Sequence, residues 1–457
     1  GVKRMAGLKN SRKNTGDTQK YGFAFVILVT YLVFEYLRPQ SDYFQFLAPL
    51  RIPMFLAIAL LILFLRSDKS VLKDRLVFYA GLFIFLVGFS VTYAYNTYHV
   101  WQTFYSLMLI FICVSLAMPT IVTNKEQLDR FLKYWIIITA LLALYAIDHG
   151  GHGPGSFLWD ENDLALALNM SIPLPFYLSL SKKSSKRQKI FYRVVTIILV
   201  VASVSTMSRG GFLGLVAVFG MFWLLSGKKL KSVAIVLLCI IIAGYPVYKL
   251  VPDTYKAEVV SILDTGDRTR EDRFLFWGLG WDMFVDNPVL GVGAANFPWR
   301  VAEYQIQSNE FDLNKIVLFG GRQAHSLYFA LMPELGMVGI IVFLLILKQI
   351  FSRMRRIVRY CSESDEYAEY ALIAKAFMVS VIAYLVTGAF ISVLYYPPFW
   401  HLIGFVITLD RVVAFETGIS EENEENVTKG NSYNRNSRTG RRGKNSRSGG
   451  RWTAGGV

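Results

Sequence analysis

The sequence predicts an all-α, polytopic membrane protein. Apolar runs recur from Tyr21 to Phe415, and each is long enough to cross a hydrocarbon core of about 30 Å. Hydrophobic residues make up 54% of the chain. Charged residues make up only 18%, whereas a soluble protein carries about a quarter. These observations exclude a soluble globular enzyme.

The apolar runs predict about twelve transmembrane helices. They are expected near residues 21–37, 52–65, 76–96, 103–123, 131–148, 161–180, 190–208, 210–226, 232–251, 326–347, 371–392 and 399–415. The chain then divides into an N-terminal tail (1–20), a transmembrane domain (21–415) and a C-terminal tail (416–457). A long segment, 252–325, interrupts the spans and is expected to be partly helical.

The distribution of lysine and arginine predicts the orientation. These residues crowd one set of short loops: Arg66, Lys69, Lys73, Arg75, Lys125, Arg130, Lys133, Lys182, Lys183, Lys186, Arg187, Lys189, Lys228, Lys229, Lys231, Lys348, Arg353, Arg355, Arg356 and Arg359. The segment from Pro252 to His325 instead carries seven Lys and Arg against eleven Asp and Glu. Because Lys/Arg-rich short loops stay in the cytoplasm, both termini are predicted to be cytoplasmic and the long segment external.

The C-terminal tail is acidic near Glu421 and then rich in Arg, Gly, Ser and Asn. Such a segment buries too little apolar surface to fold, so we expect disorder. The net charge of +15 could suggest RNA binding through Arg441 and Arg442. Because the charge is concentrated in tails and in loops on one side, we expect anionic membrane lipids, and no nucleic acid, as the partner.

One helix is expected in the external segment. Thr269 to Asp272 reads as a capping box, Asn287-Pro288 ends the helix, and Arg273, Trp277, Trp281 and Phe284 recur at helical spacing. Arg270 lies one turn before Arg273, near the positive end of the helix dipole, which would suit an anion. An amphipathic helix lying on the membrane surface explains the same pattern.

Arg209 stands in a tight turn, Ser208 to Gly211, at the outer surface. An arginine there is costly unless it faces a cavity or a partner. A snorkelling arginine at a helix end is one explanation. The flanking glycines, which permit close approach, favour a phosphate-facing role.

His325 stands where the tenth span begins. A helix N-terminus and nearby arginines both disfavour the imidazolium, so the ring should stay neutral and able to act as a base. An interfacial histidine satisfied by a backbone carbonyl would have the same sequence.

Other groups at the outer edge carry weaker signals. Glu35 and Arg38 are three residues apart and can simply pair. Asp160, Glu161 and Asp163 could hold a metal ion for glycosyl transfer, although acidic residues are common at helix N-termini without function.

Two further patterns favour structural roles. Glu334, nine residues into the tenth span, should lie on the helix face opposite His325. Tyr395, Tyr396, Phe399 and Trp400 are typical of an outer aromatic belt and less often of sugar stacking. Together with the arginines, the outer edge suits a lipid-linked phosphate or pyrophosphate.

Several motifs resemble the O-antigen ligase and polymerase superfamily. They are Ser208–Gly214, Arg273–Trp277, Asp286–Phe297, His325–Leu327, Glu334–Gly336 and Glu161–Ala165. Where the family often has His-Asn, this chain has His325-Ser326. Glu35–Gln40 is similar to a branch of O-glycosylation ligases.

The resemblance implies a multi-pass enzyme of the bacterial inner membrane, active on the periplasmic face without cofactor or metal. It would transfer a glycan from undecaprenyl pyrophosphate to lipid A-core or protein, with inversion. Arg209 and Arg273, assisted by Arg270 or Arg322, would bind the pyrophosphate, and His325 would accept the proton of the acceptor hydroxyl. Glu35, Arg38 and Asp163 are accessory candidates. A polymerase, a metal-dependent glycosyltransferase and a polysaccharide or lipid transporter stay open as alternatives.

Overall fold

A computed structural model describes residues 18–226, 268–308 and 319–418. Every long element in these ranges is a helix, which confirms the predicted all-α, polytopic fold. The helices are α1 Thr18–Tyr36, α2 Ile52–Arg66, α3 Arg75–Phe89, α4 Thr97–Ile121, α5 Lys125–Asp148, α6 Glu161–Ser171, α7 Pro173–Ser179, α8 Lys186–Ser205, α9 Arg209–Leu224, α10 Arg268–Asp286, α11 Phe297–Gln307, α12 Tyr328–Cys361, α13 Ala368–Gly388 and α14 Pro397–Thr417.

Seven of these helices are long and apolar enough to cross a membrane: α3 (extended to Thr92), α4, α5, α8, α12, α13 and α14. Three shorter apolar helices accompany them, in α1, α2 and α9. The predicted span at 232–251 lies outside the described residues, as do the tails at 1–17 and 419–457. The chain is therefore a multi-pass membrane protein.

The predicted span at 161–180 is wrong as a single helix. It consists of α6 and α7, separated at Ile172. Pro173 begins α7, and a proline ring clashes with the preceding turn of any helix that would continue through it.

The core forms around α13 and α14, the two helices whose span windows are most buried. Helix α13 packs against α6, α7, α9, α12 and α14, while α10 packs on α12. Trp400 and Phe399 of α14 are almost fully buried. The prediction that they belong to an outer aromatic belt is wrong, because their rings pack inside the bundle against Phe83 and Tyr384.

Helix α12 is broken about two turns into its length. Gly336 has a non-helical backbone (φ 60°, ψ −162°). The chain around Val292 lies in the break, where the Val292 and Gly293 amides donate to the Pro333 and Glu334 carbonyls (2.8 and 3.0 Å). The helical-wheel reasoning for Glu334 fails for a separate reason: His325 lies before α12 with a left-handed backbone (φ 49°), so the helix that carries Glu334 does not include it.

Glu334 nevertheless has the structural environment predicted for it. Its carboxylate accepts hydrogen bonds from the Ala295 and Phe297 amides (2.8 and 3.2 Å) and from the Tyr395 hydroxyl (2.7 Å). These bonds fix the start of α11 on the broken helix. They place Gly321 to His325, which packs against α11, at one end of the bundle.

Candidate active site

Arg209 is the first residue of α9, directly after a three-residue turn that follows α8. Ser208 caps this helix: its hydroxyl accepts from the Gly211 amide (2.9 Å) and donates to Asn162 Oδ1 (2.6 Å). Arg209 is half-buried. The predicted tight turn is confirmed, and it holds a guanidinium at the positive end of a helix dipole, where an anion would be stabilised.

Two glycines at the start of α9 permit close helix packing. A Cβ on Gly211 would overlap the Ala165 methyl of α6, and one on Gly214 would overlap the Thr387 hydroxyl of α13. The close approach of a phosphate to this turn stays a prediction.

Asn169 locks the turn into the bundle. Its amide donates to the Gly211 carbonyl (2.8 Å), and its Oδ1 accepts from the Ser203 hydroxyl (2.7 Å). Sequence reasoning missed Asn162 and Asn169, because a polar residue in an apolar run does not indicate its partner. Their bonds join α6, α8 and α9 beneath Arg209.

The acidic cluster lies at the start of α6. Asp160 is the N-cap, accepting from the Asn162 amide (2.8 Å), and Asp163 is buried beside the Tyr396 hydroxyl. Glu161 lies 4.0 Å from His152. In the described part of the chain, no three His, Cys, Asp or Glu side chains gather as a metal-binding group.

Arg273 lies on α10, which begins at Arg268, one residue before the predicted N-cap. The side chains of Thr269 and Asp272 lie outside the described residues, so the capping box stays a prediction, while the predicted end before Asn287-Pro288 is confirmed. The side chain of Arg270 lies outside the described residues. Arg273 itself is half-buried.

The predicted stripe of α10 is not uniformly buried. Trp281 is exposed and Phe284 is buried, and the packed face is instead formed by Phe276, Leu279 and Met283. Trp277 points toward the start of α12. Its indole donates to the Ala324 carbonyl (3.1 Å) and stacks on Phe329 at 5.2 Å.

His325 precedes α12 with a left-handed backbone (φ 49°), which a non-glycine residue rarely adopts. Its neighbours Ala324 and Ser326 are buried, whereas His325 is exposed, so the turn presents the imidazole. Partial desolvation, followed by the charge of Arg273, lowers the pKa of His325 below its usual value. Arg322 lowers this pKa further and Asp160 opposes the shift.

The structure thus brings three predicted residues, Arg273, Arg322 and Asp160, into electrostatic range of His325. Arg209 follows Ser208, whose hydroxyl donates to Asn162, two residues after Asp160. We call the region that contains Arg209, Arg273, Arg322, His325 and Asp160 the site end. The lowered pKa of His325 agrees with the predicted neutral imidazole.

Glu35 and Arg38 also lie toward the site end. Arg38 donates from Nε to Ser41 Oγ (3.2 Å), and its guanidinium lies 4.0 Å from where a Cβ on Gly155 would stand, in the loop before α6. Arg38 also interacts electrostatically with the Glu35 carboxylate, which agrees with the predicted pairing.

A cavity of about 670 Å³ adjoins this end. Its lining includes Gln323 and a set of aromatic and uncharged polar side chains from α4, α11 and residues 392–396. Sequence reasoning missed it, because His99 and Trp299 lie far apart in the chain and come together only in the fold.

The arrangement is that of a multi-pass membrane protein with a histidine and several arginines at one end of its spans. Residues 194–344 match the family model described as O-antigen ligase, which supports the resemblance predicted from the motifs. The matched region runs from α8 into α12 and contains Arg209, Arg273 and His325. It points to a membrane glycosyltransferase-like enzyme of the ligase or polymerase type, acting on lipid-linked glycans. No curated protein matches the chain.

Proposed function

We propose that the chain transfers a glycan from undecaprenyl pyrophosphate to a hydroxyl of lipid A-core or of a protein, on the periplasmic face of the bacterial inner membrane. The observation that carries this proposal is the placement of His325 within electrostatic range of Arg273, Arg322 and Asp160. Two cations beside a histidine of lowered pKa provide an anion site next to a base.

The proposed roles follow from the charge that moves. The bond between the sugar C1 and the pyrophosphate oxygen breaks, and negative charge grows on the leaving pyrophosphate. Arg209 and Arg273, with Arg322 or Arg270, stabilise that charge. Since a pyrophosphate leaves as a stable anion, charge stabilisation contributes more than protonation by an acid.

His325 accepts the proton of the acceptor hydroxyl while the acceptor oxygen bonds to C1. Attack opposite the departing pyrophosphate inverts the configuration at C1. Asp160 lies where its carboxylate stabilises the imidazolium that forms. Glu35, Arg38 and Asp163 are proposed as accessory residues that support the surrounding loops.

The test is product analysis with the purified protein in lipid nanodiscs. The donor is the host's own undecaprenyl pyrophosphate-linked glycan, offered with lipid A-core or with a periplasmic protein fraction. Mass spectrometry should find the glycan on one acceptor, with undecaprenyl pyrophosphate released. Glycan that crosses a liposome bilayer without any new covalent product would instead identify a transporter.

Metal independence belongs to the same proposal, because arginines perform the charge stabilisation. Transfer should continue in EDTA at the rate without EDTA. Activity that disappears in EDTA and returns with Mg²⁺ or Mn²⁺ would favour the carboxylate cluster at Asp160, Glu161 and Asp163.

A polymerase is the second candidate, since the family match covers both types of activity. We favour a ligase because Glu35–Gln40 resembles the O-glycosylation ligase branch. Deleting the gene in its host should leave polymerised glycan on undecaprenyl pyrophosphate, unattached to its final acceptor. Accumulation of single lipid-linked repeat units would identify a polymerase.

A further inference from the structure

The cavity of about 670 Å³ beside the site end differs chemically from the arginine cluster. Among the described residues, its lining carries one carboxylate, Glu334, and one histidine, His99, but no Lys or Arg. That carboxylate is already satisfied by two backbone amides and the Tyr395 hydroxyl. Because the described lining offers a phosphate no Lys or Arg as counter-charge, the cavity suits an uncharged ligand.

The side chains that line the cavity can contact a hydroxyl-rich ring. On α4, His99, Gln102 and Ser106 are spaced three and four residues apart and so share one helix face. Amide and hydroxyl groups both donate and accept hydrogen bonds, which is what sugar hydroxyls require. The buried Ser392 Oγ, which also lines the cavity, has no hydrogen-bond partner in the described protein.

Trp299 supplies a flat apolar surface in the same cavity. One face stacks on His99 at 4.7 Å between ring centroids and 24° between planes, and 39% of the residue remains exposed. Two hydrogen bonds hold this pair together: the Asn96 amide donates to Asn296 Oδ1 (2.7 Å), and Asn296 Nδ2 donates to the Asn96 carbonyl (3.3 Å). The stacking surface is therefore fixed before any ligand arrives.

The position of the cavity links it to the proposed chemistry. Gln323, which lines it, lies two residues before His325, and Tyr396 lies beside Asp163. The volume lies within the range of about 300 to 1,000 Å³ typical of small-molecule sites. A ring bound here would lie beside the segment that carries both Arg322 and His325.

We propose that this cavity, which we call the neutral cavity, is a binding subsite for an uncharged saccharide unit. The ring packs on Trp299, and its hydroxyls bond to Gln102, Gln323 and Ser392. This inference rests on the proposed glycosyl transfer and names the part of the substrate that the arginines do not bind. The saccharide can belong to the donor glycan or to the acceptor.

The first measurement is saccharide binding without catalysis. The probe is the oligosaccharide released by mild acid from the host's undecaprenyl-linked glycan, observed by saturation-transfer NMR with the full chain in nanodiscs. Wild type should bind it, and so should a variant with both Arg209→Ala and Arg273→Ala. Trp299→Ala and Gln102→Leu should each weaken binding about tenfold, as expected for the loss of one aromatic or polar contact.

Trp101→Ala is the matched control, because Trp101 is an exposed tryptophan on the same helix as Gln102 that does not line the cavity. It should bind the oligosaccharide as wild type does. If Trp299→Ala fails to fold, Gln102→Leu alone tests whether the cavity binds the saccharide. Wild-type binding in both cavity variants, or no saccharide binding by wild type, would overturn the inference.

The second measurement is transfer kinetics, which identifies the source of the saccharide. A raised KM for the lipid-linked donor in Gln102→Leu, with kcat little changed, would place the donor glycan in the cavity. A raised KM for the acceptor would place the acceptor there. If wild type binds the oligosaccharide but transfers nothing, the proposed function is wrong and the saccharide subsite stands.

Discussion

Positive charge is held in two different ways at the two ends of the bundle. At one end, which we call the paired end, Arg353 is 2% exposed and forms a bidentate ion pair with Asp74 (2.7 and 2.8 Å). Arg356 and Arg353 also contact Asp410. At the site end, which lies beyond the N-terminal end of α12, Arg209 and Arg273 are half-buried and Arg322 is exposed.

The difference indicates which arginines maintain the fold. A buried guanidinium needs its carboxylates, because removing one partner leaves an uncompensated charge in the protein interior. The arginines of the site end surround a histidine and a helix N-terminus, and a substrate anion can reach them. We therefore expect the paired end to determine stability and the site end to determine activity.

The largest expected effect is an all-or-none difference in labelling. The charge bias assigns the site end to the outside, so a cysteine at residue 309 should react with an impermeant thiol reagent added to intact cells. A cysteine replacing Ser184, in the loop between α7 and α8, should not react. The background should have Cys113, Cys239 and Cys361 replaced, and the reverse pattern would exclude a periplasmic site.

The next effect is loss of transfer on removing a site-end arginine. Arg209→Ala and Arg273→Ala should each lower kcat/KM by about 100-fold or more, as for loss of one group that stabilises a developing oxyanion. Lysine at either position should restore little, because it lacks the bidentate fork of arginine. Thermal unfolding should remain as in wild type.

Arg300→Ala is the matched control for these variants. Arg300 lies on α11 and pairs with Glu303 on the same helix (2.8 Å), and it has no part in the proposed site. It should transfer glycan at the wild-type rate. Full activity in both Arg209→Ala and Arg273→Ala would leave snorkelling as the explanation for Arg209.

At the paired end, the expected effect is on stability. Arg353→Ala should lower the free energy of unfolding by about 3–5 kcal/mol, since Asp74 and Asp410 would keep buried charges without their partner. Lys182→Ala breaks an exposed pair with Asp365 (2.8 Å), and its stability should remain close to that of wild type. Calorimetry in detergent measures both, and equal small losses would remove the distinction between the ends.

The sequence could predict the spans, because a membrane requires long apolar runs wherever the chain crosses it. It could not predict the break at Gly336, because the residues around Glu334 have the pattern of a regular helix. The break accompanies contacts with the loop around Val292, which is distant in the sequence. His325 and Arg273 were predicted from local motifs. His99 and Trp299 were missed because contacts between distant parts of the chain, such as the hydrogen bonds between Asn96 and Asn296, bring them together.

The smallest expected effect is a shift in the pH dependence of transfer. Only the neutral imidazole can accept a proton, so kcat/KM should rise with pH and level off, with a midpoint below the ordinary histidine pKa. Arg322→Ala removes a charge that repels the imidazolium and should raise the midpoint. Asp160→Asn removes a charge that stabilises the imidazolium and should lower the midpoint further.

The profiles are compared as midpoints, since Arg322→Ala should also reduce the rate. Arg300→Ala should leave the midpoint unchanged, and His325→Gln should abolish the step. Midpoints that move in the same direction in the Arg322 and Asp160 variants would show that His325 is not the group that titrates.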